Sequence, residues 1–126
     1  MNLKYLLGSF ISLPLLPILY FQGKRIIRET PKLPEAIGPE GYLKKESEKT
    51  LKIIALGEST IAGVGVDFHR NGFIGALAQE ISNTKNISVL WKVYAKSGYT
   101  AKFVRLRLVP KIQETNADAI VIGLGG

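Results

Sequence analysis

Leu51-Lys-Ile-Ile-Ala-Leu-Gly-Glu-Ser-Thr-Ile-Ala-Gly-Val-Gly-Val66 is the stretch from which the rest of the chain is read. From Leu51 to Leu56 it is an apolar run rich in Ile and Leu, short enough for a buried strand. The run stops at Gly57, and Glu58, Ser59 and Thr60 follow at once, with Gly63 and Gly65 behind them. Such a break in an apolar run delivers a serine from a strand into a loop. In open α/β sheets, reacting groups and ligands collect beyond the carboxyl ends of strands, where loops converge with helix N-termini. Ser59 stands at such an end.

Toward the C-terminus the periodicity alternates between helix and strand. Asn71 is placed to cap a helix in which Phe73, Ile74, Leu77 and Ile81 share one face. From Ile87 to Ala95, the residues Val89, Trp91, Val93 and Ala95 alternate with Ser88, Leu90, Lys92 and Tyr94, a strand that leads to Gly98. Thr100 is placed to cap a second helix, with Val104, Leu108 and Ile112 on one stripe, which Pro110 is expected to kink or shorten. Residues 117–124 are almost continuously apolar, as suits a central parallel strand buried on both faces. Strand, helix, strand, helix, strand implies an α/β unit of parallel strands with right-handed crossovers.

Toward the N-terminus the character changes twice. Tyr5 to Phe21 is apolar except for Gly8, Ser9, Ser12, Pro14 and Pro17, with Lys4 before it and Lys24, Arg25 and Arg28 after it. At about 17 residues it is at the lower limit for a spanning helix, and its two prolines are tolerable in a membrane segment. A cleaved signal peptide is the competing reading, but no small-x-small site follows the apolar core and Lys and Arg do. Residues 1–28 are therefore expected to be a hydrophobic membrane anchor with a basic flank. The side richer in Lys and Arg stays cytoplasmic, which puts the following domain on the cytoplasmic side. Residues 29–50, rich in Pro, Gly and charge, are expected to be a linker, because they offer too little apolar surface to offset the entropy of ordering. Residues 51–126 are left as the domain.

A formal net charge of +7 over 126 residues suits anionic surfaces. No zinc spacing, RNP-like aromatic pattern or basic run interleaved with aromatics is present, which excludes the common nucleic-acid modules. Cysteine is absent and His69 is the one histidine, so neither disulfides nor a His-based metal site is expected. His69 itself reads as a solvent-facing or helix-entry residue.

Gly57-Glu58-Ser59, with Gly63 and Gly65 behind it, resembles the Gly-Asp-Ser block of the SGNH (GDSL-type, lipase-like) hydrolases, with Glu58 in place of the Asp. In that family the serine is the nucleophile, which corresponds to Ser59. A glycine after the second strand gives a backbone N–H to the oxyanion hole there, and Gly98 matches it. A Gly-x-Asn-Asp block follows the third strand, and Gly125 and Gly126 fit its first two positions. The Asp-x-x-His that supplies the family's general base is not found in this sequence. The resemblance covers residues 51–126. It implies the N-terminal part of a truncated domain, with a flavodoxin-like three-layer α/β/α fold and a parallel sheet. It further implies a serine esterase acting on an ester-bearing small molecule or lipid, with no metal, no organic cofactor and no nucleic acid. By this resemblance Ser59 and Gly98 would donate to the oxyanion, while Gly57, Glu58 and Gly125 support the motif. Two other readings stay open, a non-catalytic flavodoxin-like module holding phosphate on backbone N–H groups, and a membrane-tethered pseudo-enzyme. The Gly-x-x-x-x-Gly-Lys-Ser/Thr phosphate loop, the three-glycine dinucleotide fingerprint and the Gly-x-Ser-x-Gly elbow do not match.

Overall fold

The computed structural model describes residues 3–125, which divide between Lys32 and Leu33 into two compact units. The first is helical: α1 (Leu3–Ser12), a 3₁₀ turn (Leu13–Leu15) and α2 (Leu16–Glu29). Pro14 and Pro17 each lie at the start of the segment they open, where a missing N–H leaves no bond unmade. They divide the apolar stretch into helices of 10 and 14 residues, and among the described residues no helix is long and apolar enough to cross a membrane. Neither the 3₁₀ turn nor α2 has a buried residue, and Phe10, Leu13, Leu16, Phe21 and Ile27 are all exposed. Thr30, extended before Pro31, ends α2.

The second unit is α/β. Its sheet has four strands, β1 (Glu40–Leu43), β2 (Thr50–Gly57), β3 (Ser88–Ala95) and β4 (Ala119–Gly123), in the order β1-β3-β2-β4. β2 pairs in parallel with β3 on one side and β4 on the other, and Ile54 lies opposite both Lys92 and Ile120. One face carries Ile53, Ala55, Val89, Trp91 and Val93, packed with Ile74 and Ala78 of α3 (Phe73–Lys85). On the other face Leu56 packs with Val104 and Leu108 from the helical segment at residues 101–111. Helices thus lie on both faces, as in parallel sheets, but the second covers Leu56 and leaves Leu90, Ile120 and Ile122 exposed. Asp118 fixes where β4 begins: its N–H donates to the Lys52 carbonyl at 2.9 Å and its carboxylate accepts the Lys52 N–H at 2.8 Å.

Several expectations are corrected. Residues 33–50 are not a linker to the domain but part of it. β1 lies antiparallel to β3, so the sheet is not wholly parallel. Gly41 makes this pairing possible, since a Cβ there would run into the Trp91 indole. Upstream of β1, the Ala36 N–H donates to the Ala62 carbonyl at 3.0 Å and the Ile37 N–H to that of Asp67 at 2.9 Å, so residues 33–39 form a strap over the loop after β2.

Among the described residues β4 lies at the edge of the sheet, and it is not buried on both faces, since Ile120 and Ile122 are 57% and 61% exposed. The N-cap of α3 is Gly72, because Asn71 closes a 3₁₀ turn (His69–Asn71) instead. Thr100 does cap the next segment, accepting the Phe103 N–H at 3.5 Å. That segment is not one helix but an α-helical turn, α4 (Ala101–Phe103), then π-helix (Val104–Leu108) and then 3₁₀ (Val109–Lys111). Pro110 has no N–H to continue the α-helical ladder, and the backbone widens before it and tightens across it.

β2 is followed by α3 on one face and leads to β3 on one side; the chain then returns across the opposite face to β4 on the other side. This reversal opens a crevice between the carboxyl ends of β2 and β4, where α/β sheets hold their ligands. The close seat of α3 is the most demanding part of the arrangement. A Cβ on Gly75 would overlap the Arg70 backbone. Gly75→Ala is expected to lower stability by about 1–3 kcal/mol, read as an earlier urea midpoint, and an unchanged midpoint would refute this account of the packing.

Candidate functional site at the carboxyl ends of the strands

At the end of β2 the chain comes very close to β4. The Glu58 N–H donates to the Gly123 carbonyl at 3.0 Å, and a Cβ on Gly57 would collide with that carbonyl and lie 2.7 Å from Ile61 Cγ1. Gly57 is therefore a steric requirement of the strand end. Beyond it the loop winds into a helix-like turn, in which the Ala62 N–H donates to the Glu58 carbonyl at 2.7 Å and the Val64 N–H to that of Ser59 at 3.1 Å. Gly63 and Gly65, with φ of 65° and 90°, then reverse the chain in the left-handed region.

This winding leaves the N–H groups of Ser59, Thr60 and Ile61 without a partner among the described residues. Neither the Ser59 N–H nor its hydroxyl bonds to any described residue, and the side chain is half-buried. The loop after β3 is attached to the same strand end by the Lys96 N–H, which donates to the Gly57 carbonyl at 3.2 Å. In it the Gly98 N–H is also without a partner among the described residues, on a backbone with φ of 78°. Gly125, beyond β4, has φ of 119°. Glu58, Gly98 and Gly125 line one depression of about 300 Å³ together with Tyr99, Thr100 and Leu124. Glu58 and Gly125 also line a second, of about 440 Å³, against Ile61 and Phe73. The sequence-predicted residues Gly57, Glu58, Ser59, Gly98 and Gly125 thus lie in the loops or strand ends at one edge of the sheet, although Ser59 itself lines neither depression. Gly126 lies outside the described residues. A concavity of about 420 Å³ elsewhere on the sheet is lined by Lys52, Ile54 and Leu90 and takes in none of these motif residues.

His69 is not solvent-facing. It is 5% exposed, in the turn before α3, with its Nδ1 packed where a Cβ on Gly63 would be 3.5 Å away. Burial pushes its pKa down, opposed by the nearby Glu35 carboxylate. No hydrogen bond joins it to Ser59.

Glu35 is the residue that sequence reasoning missed. Its carboxylate accepts the Ser97 N–H at 2.7 Å and the Lys96 ammonium at 3.0 Å, which ties the strap to the loop carrying Gly98. Burial raises its pKa, but the Ser97 N–H and Lys96 outweigh that and hold it below the usual value. A lone acid in a Pro-rich stretch gives no sign of this, because its partners are far away in sequence. A second buttress lies on the sheet face: Glu114 accepts from Lys92 and from the Tyr94 hydroxyl, each at 2.7 Å, and these bonds draw its pKa down to about 2.

No protein-family model, no curated protein and no solved structure matches this chain.

The shifts fix how the unit responds to acid. His69 titrates below its ordinary 6.5 when folded, so its contribution to stability is complete above that pH and is lost as pH falls through the folded value. Glu35 and Glu114, held below the usual 4.5, follow the same rule at lower pH. Thermal midpoints are expected to fall in two stages on acidification, the first beginning near pH 6.5. His69→Phe should remove the first stage, whereas Glu35→Gln should reduce the second and, by removing the carboxylate that opposes the His69 shift, deepen the first. An undiminished first stage in His69→Phe would refute the assignment.

Proposed function

We propose that this chain carries the nucleophile and two oxyanion donors of an SGNH-type serine ester hydrolase, acting on acyl or acetyl esters of a small molecule or lipid. The sheet order then reads as flavodoxin-like, with β3, β2 and β4 as its first three parallel strands around the switch point. The observation that carries the reading is that the Ser59 and Gly98 N–H groups, the two donors the resemblance calls for, are both without a partner among the described residues, in loops joined at the end of β2, as are those of Thr60, Ile61 and Thr100.

In the proposed chemistry the Ser59 hydroxyl oxygen attacks the ester carbonyl carbon and passes its proton to a base. The carbonyl oxygen becomes an oxyanion, which the Ser59 and Gly98 N–H groups would stabilise, and collapse expels the alcohol with a proton returned from the base. Loss of one such donor costs about 10²–10³ in rate. A serine hydroxyl is a weak nucleophile until a base takes its proton, and His69, buried and unbonded to Ser59, is not placed as that base. The Asp-x-x-His pattern would supply it. The phosphate-holding alternative finds less support: between Glu58 and Val66 the N–H groups of Glu58, Ala62, Gly63, Val64, Gly65 and Val66 are already bonded within the protein. Those of Ser59, Thr60 and Ile61 remain, and no basic side chain stands among these residues to neutralise a phosphate held there.

Groups of this kind act as a unit, so removing one loses most of what the set achieves. Residues 1–126 by themselves are expected to show no turnover of activated short-chain esters. A protein that also carries the Asn-Asp and Asp-x-x-His blocks should hydrolyse them, and Ser59→Ala should abolish that with circular dichroism unchanged. Turnover by the 126 residues alone, or indifference of the longer protein to Ser59→Ala, would overturn the reading. An inert longer protein would favour the pseudo-enzyme.

The N-terminal unit is proposed to hold the protein on a membrane, with the α/β unit on the cytoplasmic side. Its apolar side chains are exposed along α2, and Lys24, Arg25 and Arg28 follow them, with the Lys24 ammonium 4.9 Å from the Tyr20 ring centre. Aromatic and basic residues side by side suit a membrane–water interface. The protein is expected in the membrane fraction after high-salt and alkaline washes, and full release into the supernatant would refute the anchor.

A further inference from the structure

In the segment at residues 101–111 only Val104 and Leu108 are buried, against Leu56 of the sheet. The rest of its surface is unusual in what it combines. Phe103, Leu106 and Val109 are exposed by 43%, 54% and 43%, and Leu106 lies between the two buried residues in sequence, on the outward side. Among them stand Lys102, Arg105, Arg107 and Lys111, all exposed. Among the described residues none of these four is in an ion pair, and the Arg107 guanidinium lies 5.2 Å from the Phe103 ring centre. The chain has no acid between Glu80 and Glu114, and Glu114 is already held by Lys92 and Tyr94.

A face that only needed to be soluble would mix signs and bury its large apolar side chains. Cations ringing exposed apolar groups suit a partner with anions at its surface and hydrocarbon beneath. A nucleic acid would take the cations but offers no layer for Leu106 and Val109.

We propose that the outer face of residues 101–111 docks on an anionic lipid surface. Lys102, Arg105, Arg107 and Lys111 meet the headgroup phosphates and carboxylates, and Phe103, Leu106 and Val109 enter the layer between headgroups. This contact belongs to the α/β unit and is separate from the N-terminal helices. It does not depend on the hydrolase reading. Thr100 and Ala101, where the segment begins, line the depression shared by Glu58, Gly98 and Gly125, so docking there brings lipid to the rim of the candidate site.

The chain has no cysteine, so Leu106→Cys provides a single thiol for a polarity-sensitive fluorophore on the full chain. Lys85→Cys, exposed at the end of α3 on the opposite face of the sheet, is the control. Because the N-terminal unit is proposed to bring the chain to any bilayer, the readout is the local environment of the probe rather than co-sedimentation. With vesicles of phosphatidylcholine containing phosphatidylserine, the probe at 106 is expected to gain emission severalfold and shift to shorter wavelength. High salt, or Arg105→Glu with Arg107→Glu, should abolish the change, and the probe at 85 should not respond. The proposal is overturned by no response at 106, by an equal response at 85, by an equal response on phosphatidylcholine alone, or by a response to an oligonucleotide in place of anionic vesicles.

Discussion

Ile61 sits where the carboxyl ends of β2 and β4 close on one another, and there is room for it only because positions 57 and 123 carry no side chain. A Cβ at Gly123 would lie 2.6 Å from Ile61 Cγ1, and one at Gly57 would strike the Gly123 carbonyl as well. The bond from the Glu58 N–H to the Gly123 carbonyl, at 3.0 Å, depends on that closeness. With the strand ends locked together, Glu58 is held at the crevice and the next residue, Ser59, begins the turn above it. The position of the serine is therefore a consequence of packing under it.

The same junction explains which parts of the chain could be read in advance. β2 is buried along most of its length and flanked by strands on both sides, so its apolar run and sharp stop were visible in one short stretch. The α3 stripe was read for the most part: Ile74, Leu77 and Ile81 pack on the sheet at helical spacing, whereas Phe73, expected with them, is exposed and Ala78, not expected, is buried. β4 was visible as a strand, but its apolar run suggested burial on both faces, whereas Ile120 and Ile122 are exposed. β1 and the strap were illegible for a different reason. They are held mainly by backbone bonds to distant carbonyls and by a glycine opposite Trp91, and backbone partners leave no trace in composition. Gly72 displaced Asn71 as cap because the 3₁₀ turn at His69–Asn71 had already used that residue.

The candidate site was legible to a similar depth. Gly57 and Ser59 could be picked out because they break an apolar run, and Gly98 and Gly125, which both take a positive φ, only through the resemblance to the hydrolase blocks. The contribution of Glu35 could not. It acts on Ser97 and Lys96 across a large separation in the chain, and its meaning exists only once residues 33–39 are laid over the loops.

That overlay bears on how the unbonded donors are held. The loop after β2 is supported from the strap side by the bond from the Ala36 N–H to the Ala62 carbonyl and by the Gly65 N–H on the Pro34 carbonyl at 3.2 Å. The loop after β3 is supported by Glu35 on the Ser97 N–H and by the Lys96 N–H on the Gly57 carbonyl. Each bond lies beside, and none lies on, the N–H groups of Ser59 and Gly98. Donors fixed in this way need not reorganise when charge develops near them, and in electrostatic catalysis such prior orientation is where most of the stabilisation arises. A strap that satisfied the Gly98 N–H instead of that of Ser97 would leave the fold equally well bonded and, on the proposed hydrolase reading, the oxyanion short of a donor.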